Sequence, residues 1–423
     1  MMPSTHPLER DLGMRYYASD TPGIGGRLRS TPADFIVEEL PLPIPDQEGP
    51  YLICRLTKIN WELQRAVKEI AKRLGISHRR ISWAGTKDKN AVTTQFISIY
   101  DVSLDAIERV NIPDISLEVV GRSQHPLRLG GLAGNRFEVM IRECLKEDLP
   151  ARVQAVTEAV SAGIPNYYGL QRFGVIRPVT HVVGERILKG DYEGAVAAYI
   201  GRAYPMEPEE VQQARTRFLE TGDARAALAD LPVRMTYERA MANHLAANPG
   251  DYAGALRVLP PKLLSLFVSA FQSCLFNHAL SARIDAGLSL TEPEVGDRLL
   301  FENGREDVVT ARNQQAARIQ IRRGRCRIAL FIPGAEPVRV YGPMDDILHD
   351  LMQGRGIDAA DFERASRFVE TAFSGVLRAI SLSTDVEAEV AGTDLRLRFS
   401  LPPGHYATTV CREYMKAEPY LMI

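Results

Sequence analysis

The sequence is short of nearly everything that marks a metalloenzyme or a cofactor enzyme. Cysteine is scarce, and Cys54, Cys144, Cys274, Cys326 and Cys411 stand singly with no CxxC pair. That excludes a thiolate zinc site or a disulfide framework and fits inert thiols in a reducing compartment. The eight histidines are scattered, without an HExxH or a His-x-Glu followed by CxxC, so no metal is expected. No GxxxxGKS/T phosphate loop is present, and PGIGGR lacks the third-glycine spacing of GxGxxG. GTKDK superficially resembles the TKxD of GTPases, but its acid comes one position too early and no phosphate loop supports it. No GxSxG elbow occurs, which removes serine hydrolases of that type. Long apolar runs are also missing: charges bound even KLLSLFVSAFQSCLFNHALSARI, so no membrane span is expected. The first residues, MMPSTHPLERDLG, have no apolar stretch of the kind a signal peptide needs. These absences point to a soluble, cytoplasmic protein that needs neither metal nor cofactor.

What is present is an ordinary globular composition, 45% hydrophobic and 25% charged, so disorder is set aside. At 423 residues the chain exceeds one compact core, and two or three domains are expected. The formal net charge is only -2, but it is unevenly spread. Residues 61–90 hold eight Lys or Arg against three acids, and residues 311–328 hold six arginines and no acid. Basic faces on a near-neutral protein suit a polyanion bound in one orientation and then released. A solvated charged face is the plainer account of either segment alone.

Periodicity sketches the organisation. ADFIVEEL and YLICRLTK are short and rich in β-branched and aromatic residues, as strands are. NWELQRAVKEIAKRLG puts Leu63, Ala66, Val67, Ile70, Ala71 and Leu74 on one helical face, with Asn60 placed to cap its start and Gly75 its end. TQFISIY and NRFEVMIRE alternate as strands do. LPARVQAVTEAVSAG reads as a helix with Pro150 in its first turn and Gly163 past its last. From about residue 180 to 287 helical periodicity dominates. A strand-like stretch follows from VGDRLLF to RRGRCRIALFIPG, then further helices to about residue 371. DLRLRFSL alternates again, and PPGH turns into a last helix, YATTVCREYMK. Strand-rich ends around a helical middle predict an α+β protein with a mixed or antiparallel sheet in a discontinuous domain. The predicted division is 1–163 plus 376–423 for that domain and 164–375 for a largely helical α+β insertion.

One carboxylate stands out. In WAGTKDKNAVTTQ, Asp88 lies between Lys87 and Lys89, after an apolar approach (Ile81, Trp83, Ala84) and Gly85. Strand ends are where scaffolds present reactive groups, and flanking cations favour a charged carboxylate. A charged carboxylate is what a nucleophile or base acting on a sugar carbon requires. The plainer reading is a polar turn.

Six segments decide between these readings: RLRSTPADFIVEE, AGTKDKNAVTTQ, LRLGGLAGNRFEV, PNYYGLQRFG, FQSCLFN and FSLPPGHYATTVCRE, in that order from Arg27 to Glu413. Together they resemble the signature blocks of the pseudouridine synthase D family, which modifies tRNA. The resemblance implies a pseudouridine synthase catalytic domain and a cofactor-free isomerisation of uridine in tRNA, at position 13 of the D-arm. It places the family's aspartate at Asp88, with Lys87 an electrostatic neighbour and Lys89 facing solvent or a phosphate. Asn135 resembles a substrate-contacting Asn and Phe35 a pocket residue. Phe137 is a candidate to stack on the uracil, although its strand alternation equally puts it in the core. Tyr406 stands where relatives often have Phe, and Arg29 where bacterial relatives commonly carry Lys. Arg172 could hold a phosphate or a loop. FQSCLFN is expected to pack the inserted domain, and the arginine-rich run around residues 318–327 is one candidate RNA contact. tRNA is the partner implied, with no obligatory protein partner. The alternatives are a non-catalytic RNA-binding protein or tRNA-folding chaperone, in which Asp88 is only structural, and a base-releasing glycosylase.

Overall fold

Alternation in DLRLRFSL becomes the strand Asp394–Leu401, whose Leu395, Leu397, Phe399 and Leu401 are buried while Arg396 and Arg398 face outward onto Glu138 and Glu389. The same period-2 rule builds a nine-stranded sheet around it. The main path runs Glu387–Ala391, Asp394–Leu401, Leu132–Cys144, Phe35–Pro41, Val92–Tyr100, Tyr51–Ile59 and Ile115–Ser123. Gly25–Arg27 pairs with Leu132–Cys144, and Ile81–Trp83 with Val92–Tyr100. Among the described strands of this sheet, one pairing is parallel, Phe35–Pro41 with Val92–Tyr100.

The computed structural model describes residues 1–43 and 48–422 and is α+β. It divides into two units, one of Ala18–Ile164 with Ser383–Ile423, the other of Met1–Tyr17 with Pro165–Leu382. The sequence pattern had kept residues 1–17 with the strand-rich ends and placed the later boundary at 375/376. Side-chain chemistry assigns them otherwise. Leu12 and Met14 are buried in the helical core, the Ser281 hydroxyl donates to Gly13 O at 2.6 Å, and Arg15 and Tyr16 both bind Asp285.

In the sheet-bearing unit the helix Leu63–Leu74 buries Leu63, Ala66, Val67, Ile70 and Ala71 against Leu52, Cys54, Leu56, Ile97 and Ile99. Gly75 ends it in the left-handed region at φ 65°. Its start differs from the expectation. Glu62, not Asn60, is the cap, its carboxylate accepting from the Gln64 and Arg65 N–H groups at 2.8 Å. Asn60 instead turns the chain at φ 58°, its N–H donating to Ala91 O. The closing helix Ala407–Met415 is buried on every side.

The other unit is built on the helix Pro261–Asp285, which buries fifteen side chains. By length and composition this helix is apolar enough to cross a membrane, contrary to the sequence expectation. Its apolar surface is taken up by the surrounding core, with Phe267, Phe271 and Phe276 almost wholly covered. An antiparallel sheet of Glu306–Val308, Arg298–Phe301, Cys326–Ile332 and Val376–Ala379 completes it. Arg283, wholly buried, binds both oxygens of Asp297 at 2.6 and 2.8 Å.

Two histidines of this unit are kept neutral by burial, which pushes His181 down to about 3 and His278 to about 4. Both lie below the unfolded value near 6.5, so below that pH the unfolded chain binds more protons than the folded one. Stability is therefore complete above pH ~6.5 and falls as pH drops toward 4, by up to about 3 kcal/mol for each histidine. Urea midpoints measured across this range should fall, and His278→Gln should flatten the fall.

Candidate active site

The site begins at a fork in the sheet. One edge of the Val92–Tyr100 strand serves two partners: Val92–Thr94 pairs with Ile36–Glu38, and Ile97–Ile99 with Ile81–Trp83. Gln95 and Phe96 lie between. The Phe96 N–H donates to the Glu39 carboxylate at 3.3 Å, and the Gln95 side chain donates to Gly85 O at 2.9 Å. Residues 84–91 leave the sheet through this gap.

Lys87 closes it. Its ammonium meets Glu39 Oε2 at 2.6 Å, with both side chains at most 5% exposed. A side chain at Gly85 would press on this pair, since its Cβ would lie 2.9 Å from Lys87 Nζ. The loop is latched further by Gly130 N–H to Ala84 O at 2.8 Å and by Lys58, whose ammonium donates to Asp88 O at 2.9 Å and Trp61 O at 2.7 Å. Lys58 is fully buried, and burial pushes it down to about 8.

So held, Asp88 presents its carboxylate outward, with half of its side chain exposed (51%). Arg29 Nη2 meets Asp88 Oδ2 at 2.7 Å, and the Arg29 guanidinium lies over the Phe35 ring, 4.2 Å from its centroid. Arg29 occupies the left-handed region at φ 55°, an unfavourable place for a non-glycine residue. The turn after it is tied down: Asp34 accepts from Thr31 N–H at 2.8 Å and from Arg142 at 2.6 Å, and Arg142 also reaches Asp394 at 2.6 Å.

Phe35 continues into an aromatic row. It meets Phe137 edge-on at 6.3 Å, and Phe137 stacks on Phe399 at 5.4 Å with planes 26° apart. Phe137 is 7% exposed, so it forms the floor of this face. Asn135, on the same face two residues before, is half-buried, and its Oδ1 has no hydrogen-bond partner among the described residues. Tyr406 sits half-buried at the start of the helix Ala407–Met415, its carbonyl accepting from Thr409 N–H.

The structure thus joins Asp88, Arg29, Phe35 and Phe137 by direct contacts and turns Lys87 away, into the fork. Arg172 belongs to the other unit, where it donates to Ser273 at 3.0 Å and lies over Tyr168. Two participants escaped the sequence reading, Glu39 and Lys58. Each is a charged residue in the inward row of an alternating strand, and that misfit was the available signal. If Lys87 anchors the loop, Lys87→Met strands a buried Glu39 carboxylate and should cost about 3–5 kcal/mol of stability. A urea titration measures this, and a solvent-facing lysine would give less than about 0.5 kcal/mol.

Comparison with known proteins gives the family. A family model described as tRNA pseudouridine synthase D (TruD) matches residues 11–414. A protein of Methanococcoides burtonii named as a probable tRNA pseudouridine synthase D is 39% identical, over 98% of each chain. One of Halobacterium salinarum with the same name is 39% identical over 99% of each. A crystal structure of a protein described as TruD from Methanosarcina mazei superposes with a TM-score of 0.84 at 38% identity, covering 99% of this chain and all of that one. With the family's model spanning the sheet, the helical unit and the Asp88 loop alike, the chain belongs to the tRNA pseudouridine synthase D family.

Proposed function

We propose that this protein isomerises a uridine of tRNA to pseudouridine, at position 13 of the D-arm, with Asp88 as the acting carboxylate. The observation that carries the reading is the presentation of Asp88: its main chain is fixed from behind by buried groups, and its carboxylate is outward and paired with Arg29. In the reaction N1–C1′ breaks, C5–C1′ forms, and the C5 proton is lost while N1 gains one. Attack of the carboxylate on C1′ and removal of the C2′ proton to give a glycal are both open to a charged oxygen held against the ribose. Arg29 offsets the charge that Asp88 carries and keeps its two oxygens oriented.

The target uridine must leave its stack to meet Asp88. Phe137 is the ring offered to the flipped base; Phe35, buried beneath the Arg29 guanidinium, backs it, and Tyr406 adds a further ring. Asn135 Oδ1, covered in the free protein and without a partner among the described residues, is an acceptor for the uracil N3–H once the side chain turns to the base. Lys87 serves the site by holding the loop, and Arg172 by shaping the other unit.

RNA beyond the target is held by the basic surfaces. Lys68, Lys72 and Arg79 are exposed in the unit that carries Asp88. In the other unit Arg323 and Arg325 are exposed, while Arg318 and Arg322 share Glu292 at 2.7 and 2.9 Å. Arg322 and Arg318 hold that carboxyl below its usual range.

Two experiments test the reading. Carbodiimide mapping of unmodified tRNA incubated with this protein alone should show pseudouridine at position 13, and Asp88→Asn should lower its formation at least ~10³-fold. tRNA affinity of that variant should stay within about twofold, since a phosphate-facing role is not removed. A variant that keeps full turnover assigns Asp88 to structure and favours the chaperone reading, and free uracil in the products favours a glycosylase. Replacing Arg322, Arg323 and Arg325 by alanine should weaken tRNA binding and lower the slope of log affinity against log salt by about two to three. Filter binding at several salt concentrations measures this, and an unchanged slope removes that surface from the RNA contact.

A further inference from the structure

Lys58 ends the inward row Leu52, Cys54 and Leu56 of the Tyr51–Ile59 strand. An apolar side chain would continue that row, yet the position holds an ammonium with no exposed surface. Such a group is costly to bury unless its donors are used. Two of them are: one reaches Trp61 O at the entry to the helix Leu63–Leu74, the other Asp88 O in the loop. One cation therefore ties the main chain of Asp88 to the core, while Arg29 grips the carboxylate.

We propose that Lys58 is a positioning residue for the isomerisation, fixing the Asp88 backbone so that the carboxylate is aimed at the ribose. The proposal rests on the reading that Asp88 carries the chemistry. Lysine suits the task because a compact charge with three donors can reach two carbonyls of separate segments. A neutral or apolar residue would leave Asp88 O without this donor. The peptide could then rotate, and a displacement of about 1 Å at the reacting oxygen is enough to cost ~10²-fold in rate.

The grip depends on pH. Burial is the largest influence on Lys58 and pushes it down to about 8; Asp88 and Glu62 oppose the shift, and Lys87 adds to it. Its neighbours across the sheet, Thr93 and Ile115, carry no charge. Below pH ~8 the bonds are charge-assisted, and above it a neutral amine holds the same carbonyls more weakly.

Single-turnover pseudouridine formation at saturating tRNA, from about pH 6 to about pH 9, tests this in wild-type protein, Lys58→Met and Lys58→Gln. The wild-type rate should be level up to about pH 8 and fall above it. Lys58→Met should lose about 10- to 100-fold in rate, with tRNA affinity within about twofold and no break near pH 8. Lys58→Gln, which keeps a donor, should fall between the two. A Met variant at full rate overturns the assignment and leaves Asp88 standing. A wild-type rate that stays level through pH 9 overturns it even if both variants misfold. A wild-type protein that forms no pseudouridine at any pH overturns the Asp88 reading itself.

Discussion

The ion pair of Glu39 with Lys87 is the contact on which the local structure turns. The Val92–Tyr100 strand is asked to pair with a parallel and an antiparallel neighbour along one edge, and neither covers Gln95 and Phe96. An unpaired N–H there would be a buried defect. The Glu39 carboxylate takes the Phe96 N–H with one oxygen and the Lys87 ammonium with the other. Burying two charges offsets much of their attraction, and an apolar pair of similar volume could fill the fork at similar stability. What an apolar pair would lack is direction. The charged pair fixes which residue of the loop faces inward, and hence that its neighbour Asp88 faces out.

The cations around Asp88 divide their tasks by what they bind. Lys87 and Lys58 are both inside and act on the loop, one through a carboxylate and one through main-chain carbonyls. Arg29 alone of the three meets the Asp88 side chain, and it does so from a strained backbone position backed by the Phe35 ring. Its planar fork can keep a bond to Asp88 while resting flat on an aromatic face, which a lysine ammonium in that place could do only as a point contact. Lys89 is left exposed.

Much of this was legible in the sequence because it follows from period and punctuation. The helix Leu63–Leu74 and the strand Asp394–Leu401 appear where their apolar spacing put them. The motif around Asp88 marked the loop, and the six blocks marked the family. Three things were not legible, each for a physical reason. Lys87 looked like a partner of Asp88 because adjacent residues are close in sequence, whereas an extended loop sends neighbouring side chains to opposite sides. The place of Met1–Tyr17 depends on long-range contacts such as Ser281 with Gly13, which no local pattern records. Glu39 and Lys58 were hidden inside strands whose other inward residues are apolar. They broke the alternation, and a break of that kind in a core row is itself a pointer to a buried polar network.

On the proposed reading, this arrangement also says where desolvation comes from. The charged groups that hold the loop are already dry: Lys58 has no exposed surface, and the Glu39–Lys87 pair nearly none. The carboxylate itself is half in water, so in the free protein its charge is still hydrated. Reaction needs that water gone, because a hydrated carboxylate is a weaker nucleophile and base than one facing only the ribose. The protein settles orientation beforehand, through groups that need not move, and leaves removal of the last water to the arriving uridine. On that proposal, binding energy from the basic surfaces drives the base against Phe137 and strips the carboxylate. It follows that RNA contacts far from Asp88 act on the rate of the chemical step as well as on affinity, and that shortening the RNA would slow turnover even at saturation.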